Sequence, residues 1–194
     1  MPTHVGAVQY RLARVADAAT IAALHAASWQ VAYRGMFPDD FLDNDAVADR
    51  LKVWQERFAD PDLETKTITI LAESDGELMG FAHTIIDEDA TYGTLLDNLH
   101  VRRTEHCSGI GTRLMVETAE HLATLGRSTL YLWVLEDNDG ARAFYRALGG
   151  EECGRGSVAD GPSNPALPAV PSLRICWPRL DKLSLDLPDE PAAI

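Results

Sequence analysis

Cysteine is scarce in this chain: Cys107, Cys153 and Cys176 are the only three in 194 residues. No two have CxxC spacing and none joins a histidine cluster. Neither a disulfide framework nor a metal site is indicated, and free thiols in a reducing compartment are expected. Positive charge is also in short supply, with 17 basic against 30 acidic residues and a net charge of −13. Such a field repels phosphate backbones and anionic lipid surfaces, which argues against nucleic-acid and membrane partners. It leaves room for a cationic acceptor such as an amine, although acidic surfaces commonly serve solubility alone. No apolar run approaches the ~20 residues that span a bilayer, and Met1-Pro2-Thr3-His4 does not begin a signal peptide, so a cytoplasmic protein is expected.

What is present is a 46% hydrophobic chain of single-domain size, read as one domain over 1–194 with a core from about 8 to 180. Residues 8–13 alternate like a half-buried strand. Asp17 can cap an alanine-rich helix ending near Ala32, and the segment from Tyr33 to Leu42 is broken by Gly35 and Pro38. Asn44 or Asp45 can cap a second helix with Val47, Leu51, Trp54 and Phe58 on one stripe, ended by Asp60-Pro61. A hairpin follows, from Lys66 to Ala72 and from Leu78 to Ile86, with a further turn at Asp87-Glu88-Asp89. The densest organisation lies in Leu95–Gly150. It holds an apolar strand to Val101, a polar loop, a helix opened by Gly109-Ile110-Gly111, a second strand at 129–135 and a short helix after Asn138. Two strands near 151–154 and 173–177 flank a proline-rich irregular segment, 156–172, and residues 186–194 read as a frayed tail. The order β-α-α-β-β-β-α-β-α-β-β specifies an α/β or α+β sheet covered by helices.

The loop before the second glycine carries the chemistry. Glycines there permit positive φ and close approach of a ligand to the backbone. The helix start behind them offers unsatisfied N–H groups and a partial positive charge, which suit a pyrophosphate. The loop lacks the Gly-Lys-Ser/Thr end of a Walker A motif and the third glycine of a dinucleotide fingerprint, so neither of those phosphate sites is present.

Taken with its flanks, the block resembles the GNAT superfamily of acetyl-coenzyme A dependent N-acetyltransferases. Gly109 and Gly111 meet that family's Arg/Gln-x-x-Gly-x-Gly/Ala pattern, with His106 standing where Arg or Gln is usual. Asn138, Ala141, Phe144-Tyr145 and Leu148-Gly149-Gly150 are similar to its Asn-x-x-Ala-x-x-Phe-Tyr-x-x-x-Gly-Phe block. The likeness extends over about residues 8 to 155. It implies a mixed, mostly antiparallel sheet flanked by helices, whose two central parallel strands splay to admit acetyl-CoA.

The resemblance assigns the pantetheine arm and thioester to the backbone of Leu99, His100 and Val101. It assigns the pyrophosphate to His106, Cys107, Ser108, Gly109, Ile110, Gly111 and Thr112, acting mainly through amides. Asn138 and Ala141 join the coenzyme site, although capping alone would explain Asn138. Tyr145 is the expected proton donor to the departing thiolate. A primary amine, small molecule or peptide, would attack directly in a ternary complex.

Its pocket is expected around Trp29 and Tyr33 with the Phe37 to Phe41 loop, where aromatics and the carboxylates of Asp39 and Asp40 would suit an ammonium. The glutamate common early in the family's fourth strand is replaced by Leu95, leaving Asp97, His100 and Glu136 as general-base candidates. Strand alternation places Asp97 with Leu99 and Val101, and Asn98 with His100 on the opposite face. Rival readings are a non-catalytic acyl-CoA-binding or regulatory module and transfer of a longer acyl group. Homodimers are common among such relatives.

Overall fold

The computed structural model describes residues 7–35, 37–106, 108–157 and 170–183. Cys107, most of the proline-rich segment and the 186–194 tail therefore lie outside the described residues. The elements are β1 (Gln9–Leu12), α1 (Ala18–Ala32), a π-helical turn (Phe41–Asp45), α2 (Ala46–Phe58), α3 (Leu63–Lys66), β2 (Thr67–Ser74), β3 (Glu77–Asp89), β4 (Gly93–Val101), α4 (Ile110–Thr124), β5 (Leu130–Leu135), α5 (Asp139–Ala147), β6 (Glu151–Ser157) and β7 (Pro171–Trp177).

Seven strands form one sheet in the order β1-β2-β3-β4-β5-β7-β6. Every neighbouring pair is antiparallel except β4 and β5, which are parallel and joined through α4. Strand alternation divides the apolar residues between the two faces. Ile68, Ile70, Ala72, Ala82, Leu130, Leu132, Val134, Leu173 and Ile175 pack with Leu114, Met115 and Leu122 of α4. On the other face Leu71 and Phe81 pack with Ile21 and Ala22 of α1 and Trp54 and Phe58 of α2. Gly80 lets α4 sit directly on β3, because a Cβ there would lie 2.9 Å from the His100 carbonyl oxygen and 3.2 Å from Leu114 Cδ1.

Several expectations are corrected. The segment after Pro38 is helical from residue 39 and runs through the π-helical turn into α2. Asp87 to Asp89 belong to β3, with Asp87 at φ 52°, so the reversal comes later, before Gly93. The buried stripe of α2 is Ala46, Arg50, Trp54 and Phe58, whereas Val47 is 49% exposed. Asp17 does not cap α1 with its side chain; its carboxylate accepts from the Arg14 N–H (2.7 Å) and pairs with Arg11 (2.8 Å).

The free-thiol expectation fails for two of the three cysteines, since Cys153 and Cys176 form a disulfide with Cα atoms 6.0 Å apart. The reason is topological. β7 inserts between β5 and β6, and the register shift between Glu152 and Gly154 sets Cys153 beside Cys176.

Trp54 ties the helical layer to the sheet. It is fully buried, donates its indole N–H to His25 Nδ1 (3.1 Å) and meets Phe81 edge-on at 5.4 Å. Trp54→Ala is expected to lower unfolding stability by about 3–5 kcal/mol, because it leaves a cavity and orphans a buried acceptor. A denaturant midpoint within error of wild type would contradict this packing.

Candidate active site

The β4–β5 ladder ends at Leu95 and Tyr131, only two residue pairs after it begins. Beyond that point the strands part, and β4 turns its remaining backbone groups toward a cleft of about 830 Å³. Because the cleft passes between strands, it opens on both faces of the sheet. On the α4/α5 side it is lined by Leu99, Val101, Arg102, Arg103, His106, Leu132, Val134, Asn138, Ala141 and Tyr145. On the α1/α2 side it is lined by Ser28, Trp29, Tyr33, Asp97, Asn98, His100 and Trp133. Most of the residues singled out in the sequence thus share one space. Ser108, Gly109, Ile110, Gly111 and Thr112 do not line it; they form the start of α4 beside it.

That start has the geometry of an anion site. Gly109 is the N-cap at φ 84°, a left-handed conformation that L side chains resist. The first helical hydrogen bond is Arg113 N–H to the Gly109 carbonyl (2.9 Å), so the amides of Ile110, Gly111 and Thr112 precede it. The Ser108 amide is less available than expected, since it donates to the Glu105 carbonyl at 3.3 Å. His106 lines the cleft, and its Nε2 lies 3.1 Å from the Val101 carbonyl, tying the loop back to the end of β4. Arg102 and Arg103 line the cleft beside it and were missed in the sequence, where they read as ordinary loop charges.

Tyr145 lies on the cleft side of α5, its ring 5.2 Å from Phe144 and 6.0 Å from Trp177. Burial raises its pKa well above that of a free phenol, so the hydroxyl keeps its proton at neutral pH. Asn138 caps α5, its Oδ1 accepting from the Ala141 N–H at 3.0 Å while it lines the cleft.

On the opposite side a β-bulge overturns the alternation expected for β4. His83 faces Asn98 and Thr84 faces Leu96, so the register skips Asp97. Leu99 and Val101 pack toward α4, while Asp97 and Asn98 both turn toward α2 and share Arg57, at 2.6 and 2.9 Å. Of the three base candidates, Asp97 is therefore ion-paired. Glu136 binds Arg155 (2.8 Å) and does not line the cleft. His100 lines it as a neutral imidazole, its pKa lowered to about 4 by burial and then by Arg50.

The Phe37 to Phe41 loop does not line the cleft, and its carboxylates are engaged elsewhere. Asp39 pairs with Arg34 (3.2 Å), and Asp40 accepts from Asn44 (2.9 Å). Trp29 and Tyr33 do line the cleft, and burial raises the Tyr33 pKa.

His100 stacks near His25, with centroids 4.7 Å apart, and burial holds His25 and His83 neutral as well. His25 Nε2 is buried with no hydrogen-bond partner among the described residues. All three histidines have folded pKa values below the unfolded value of 6.5, so the unfolded chain binds more protons once the pH drops below that value. Stability is full above pH 6.5 and is lost as the pH falls toward 4, by about 3 kcal/mol from His100 alone. Denaturant titrations at pH 7.5 and 4.5 measure this, and equal midpoints would contradict it.

The fold that carries this cleft is shared with known proteins. Residues 25–149 match the acetyltransferase (GNAT) family. The uncharacterized N-acetyltransferase YuaI of Bacillus subtilis is 26% identical over 178 residues, covering 91% of this chain and 96% of its own. PaiA N-acetyltransferase of Thermoplasma acidophilum in complex with coenzyme A superposes with a TM-score of 0.69 at 16% identity, over 88% of this chain and 98% of its own. YncA, a putative acetyltransferase of Salmonella typhimurium with acetyl-CoA, gives 0.63 at 15% identity, over 97% and 100%. With the family matched over most of the chain and the fold over nearly all of it, this protein belongs to the GNAT acetyltransferases, acyltransferase enzymes whose cosubstrate is acetyl-CoA.

Proposed function

We propose that the chain transfers the acetyl group of acetyl-CoA to the nitrogen of a primary amine by direct attack within the β4–β5 cleft. The observation that carries this reading is that the open β4 edge at Leu99 to Val101 and the protonated phenol of Tyr145 share one cleft, with the start of α4 beside it. The amides of Ile110, Gly111 and Thr112 would hold the pyrophosphate, with the positive end of the α4 dipole behind them. The cleft-facing Arg102 and Arg103 add charge of the right sign. Backbone groups of Leu99 to Val101 would extend the sheet onto the pantetheine arm and polarise the thioester carbonyl.

The amine enters from the Trp29 and Tyr33 side. Its lone pair forms the C–N bond to the carbonyl carbon, and the C–S bonding pair leaves on sulfur. Tyr145 supplies the proton that makes the thiolate a thiol. The nitrogen's surplus proton leaves toward His100 or water. His100 is a weak acceptor at its lowered pKa, so it orients the nitrogen more than it drives deprotonation.

Calorimetric titration of the chain with acetyl-CoA tests the reading at its base. One-to-one binding is expected, and no binding would overturn both catalysis and any sensor role. Thiol release on adding amines separates the enzyme from a coenzyme-binding module.

A further inference from the structure

The α1/α2 side of the cleft is poorly built for an ammonium ion. Asp97 is the only carboxylate among the described lining residues, and the Arg57 guanidinium 2.6 Å away neutralises it. The two tryptophans that line this side, Trp29 and Trp133, would ordinarily attract a cation to their faces. Each already carries one: the Arg50 guanidinium carbon is 4.0 Å from the Trp29 ring centroid, and that of Arg174 is 4.5 Å from Trp133.

Three guanidiniums thus stand behind the walls that the incoming amine must touch. Arg50 is only 3% exposed and pairs with Asp49 at 2.5 Å. Across the sheet, Asp89 lies near Arg174 but spends one carboxylate oxygen on the Thr91 and Tyr92 amides, at 2.7 and 3.0 Å. Tyr33 and His25 on α1, His83 on β3 and His100 on β4 are neutral at pH 7, and so is Tyr131 on β5, which with Tyr92 lies against the Arg174 guanidinium. The burial and the Arg50 charge that keep His100 unprotonated act in the same direction on an amine bound beside it.

We infer that the acceptor of this enzyme is a weakly basic amine on a flat apolar body, an arylamine, which enters uncharged between Trp29, Tyr33 and Trp133. This rests on the acetyl-transfer reading above and specifies its substrate class. An arylamine is already neutral at pH 7, whereas an alkylamine as basic as lysine is neutral in roughly one molecule in 2,500. The site therefore needs no strong base, which accords with a fourth strand holding Leu95 and a paired Asp97. The arylamine lone pair forms the C–N bond as the C–S bond breaks, Tyr145 protonates the sulfur, and one N–H proton passes to water, which returns a proton to Tyr145. The products are an N-acetylarylamine and coenzyme A thiol.

Thiol release by the full chain is measured with acetyl-CoA and three acceptors at pH 7: 4-methylaniline, benzylamine and spermidine. The expected kcat/KM for the aniline exceeds both others by at least about tenfold, because it alone enters uncharged and fits the flat aromatic walls. Between pH 7 and 9 the benzylamine value should climb nearly tenfold per unit while the aniline value stays flat. Benzylamine or spermidine equalling the aniline at pH 7, or a benzylamine rate flat with pH, overturns the inference and leaves acetyl transfer standing. Bound acetyl-CoA with no thiol release from any of the three overturns the transfer reading and the inference with it.

Discussion

Replacing Tyr145 by phenylalanine is expected to lower kcat by about two to four orders of magnitude while acetyl-CoA binds as in the wild type. The magnitude is that of losing a positioned general acid. The separation of kcat from binding follows from how the ring is held. Its contacts with Phe144 at 5.2 Å and Trp177 at 6.0 Å are made by carbon, and the Tyr145 carbonyl, not the hydroxyl, accepts the Gly150 N–H at 3.0 Å. Phenylalanine keeps all of these. What it removes is a hydroxyl that burial keeps protonated above the normal phenol range. The loss should hold across neutral pH, since the donor does not titrate there. Unchanged turnover across pH, with acetyl-CoA still bound, would exclude Tyr145 as the proton source.

The second large effect is expected at Gly109. Valine there would have to adopt φ near 84°, which costs of order 1–3 kcal/mol for a non-glycine residue and more when it is β-branched. Nothing lies within 4 Å of the position a Cβ would take, so the penalty is conformational and does not come from a clash. The loop relieves the strain by rotating the peptide planes that open α4, and those planes carry the amides proposed to hold the pyrophosphate. Calorimetry should show acetyl-CoA binding weakened by about 10- to 100-fold, with the α4 packing on Leu114 and Met115 retained. A Gly109→Val chain that binds acetyl-CoA as tightly as wild type would remove the anion site from the account.

The contrast between these two residues and the acceptor side shows what was legible in the sequence. Gly109, the strands around it and the Asn138 to Tyr145 helix are local features, in which turn chemistry, strand period and helix capping all act within a few residues. They were readable for that reason, and the parallel β4–β5 pair followed from the helix between the strands. Asp97 was placed on the wrong face because alternation assumes an unbroken ladder, and the bulge depends on how β3 pairs with β4.

The Cys153–Cys176 bridge was hidden for a related reason. Its partners meet only because β7 crosses to lie between β5 and β6. Arg50 and Arg57 were given no role from the sequence, because an arginine on a helix is ordinarily solvated. Their spacing of four before and three after Trp54 was the available signal, since it sets all three on one face of α2. Both guanidiniums lie on indole rings, Arg50 on Trp29 and Arg57 on Trp54 at 4.7 Å. The acceptor side, expected to offer the carboxylates of Asp39 and Asp40, instead has its one described lining carboxylate ion-paired and its Trp29 ring already covered by a guanidinium.

Direct attack in a ternary complex makes the amine obligatory for every step after coenzyme binding. The most direct measurement is thiol release from acetyl-CoA with and without the amine, with the intact mass of the protein followed in the same samples. Direct attack gives one thiol per acetylated amine, no release without amine and a protein mass that never gains an acetyl group. Thiol released before amine is added, together with an acetylated protein, would contradict it.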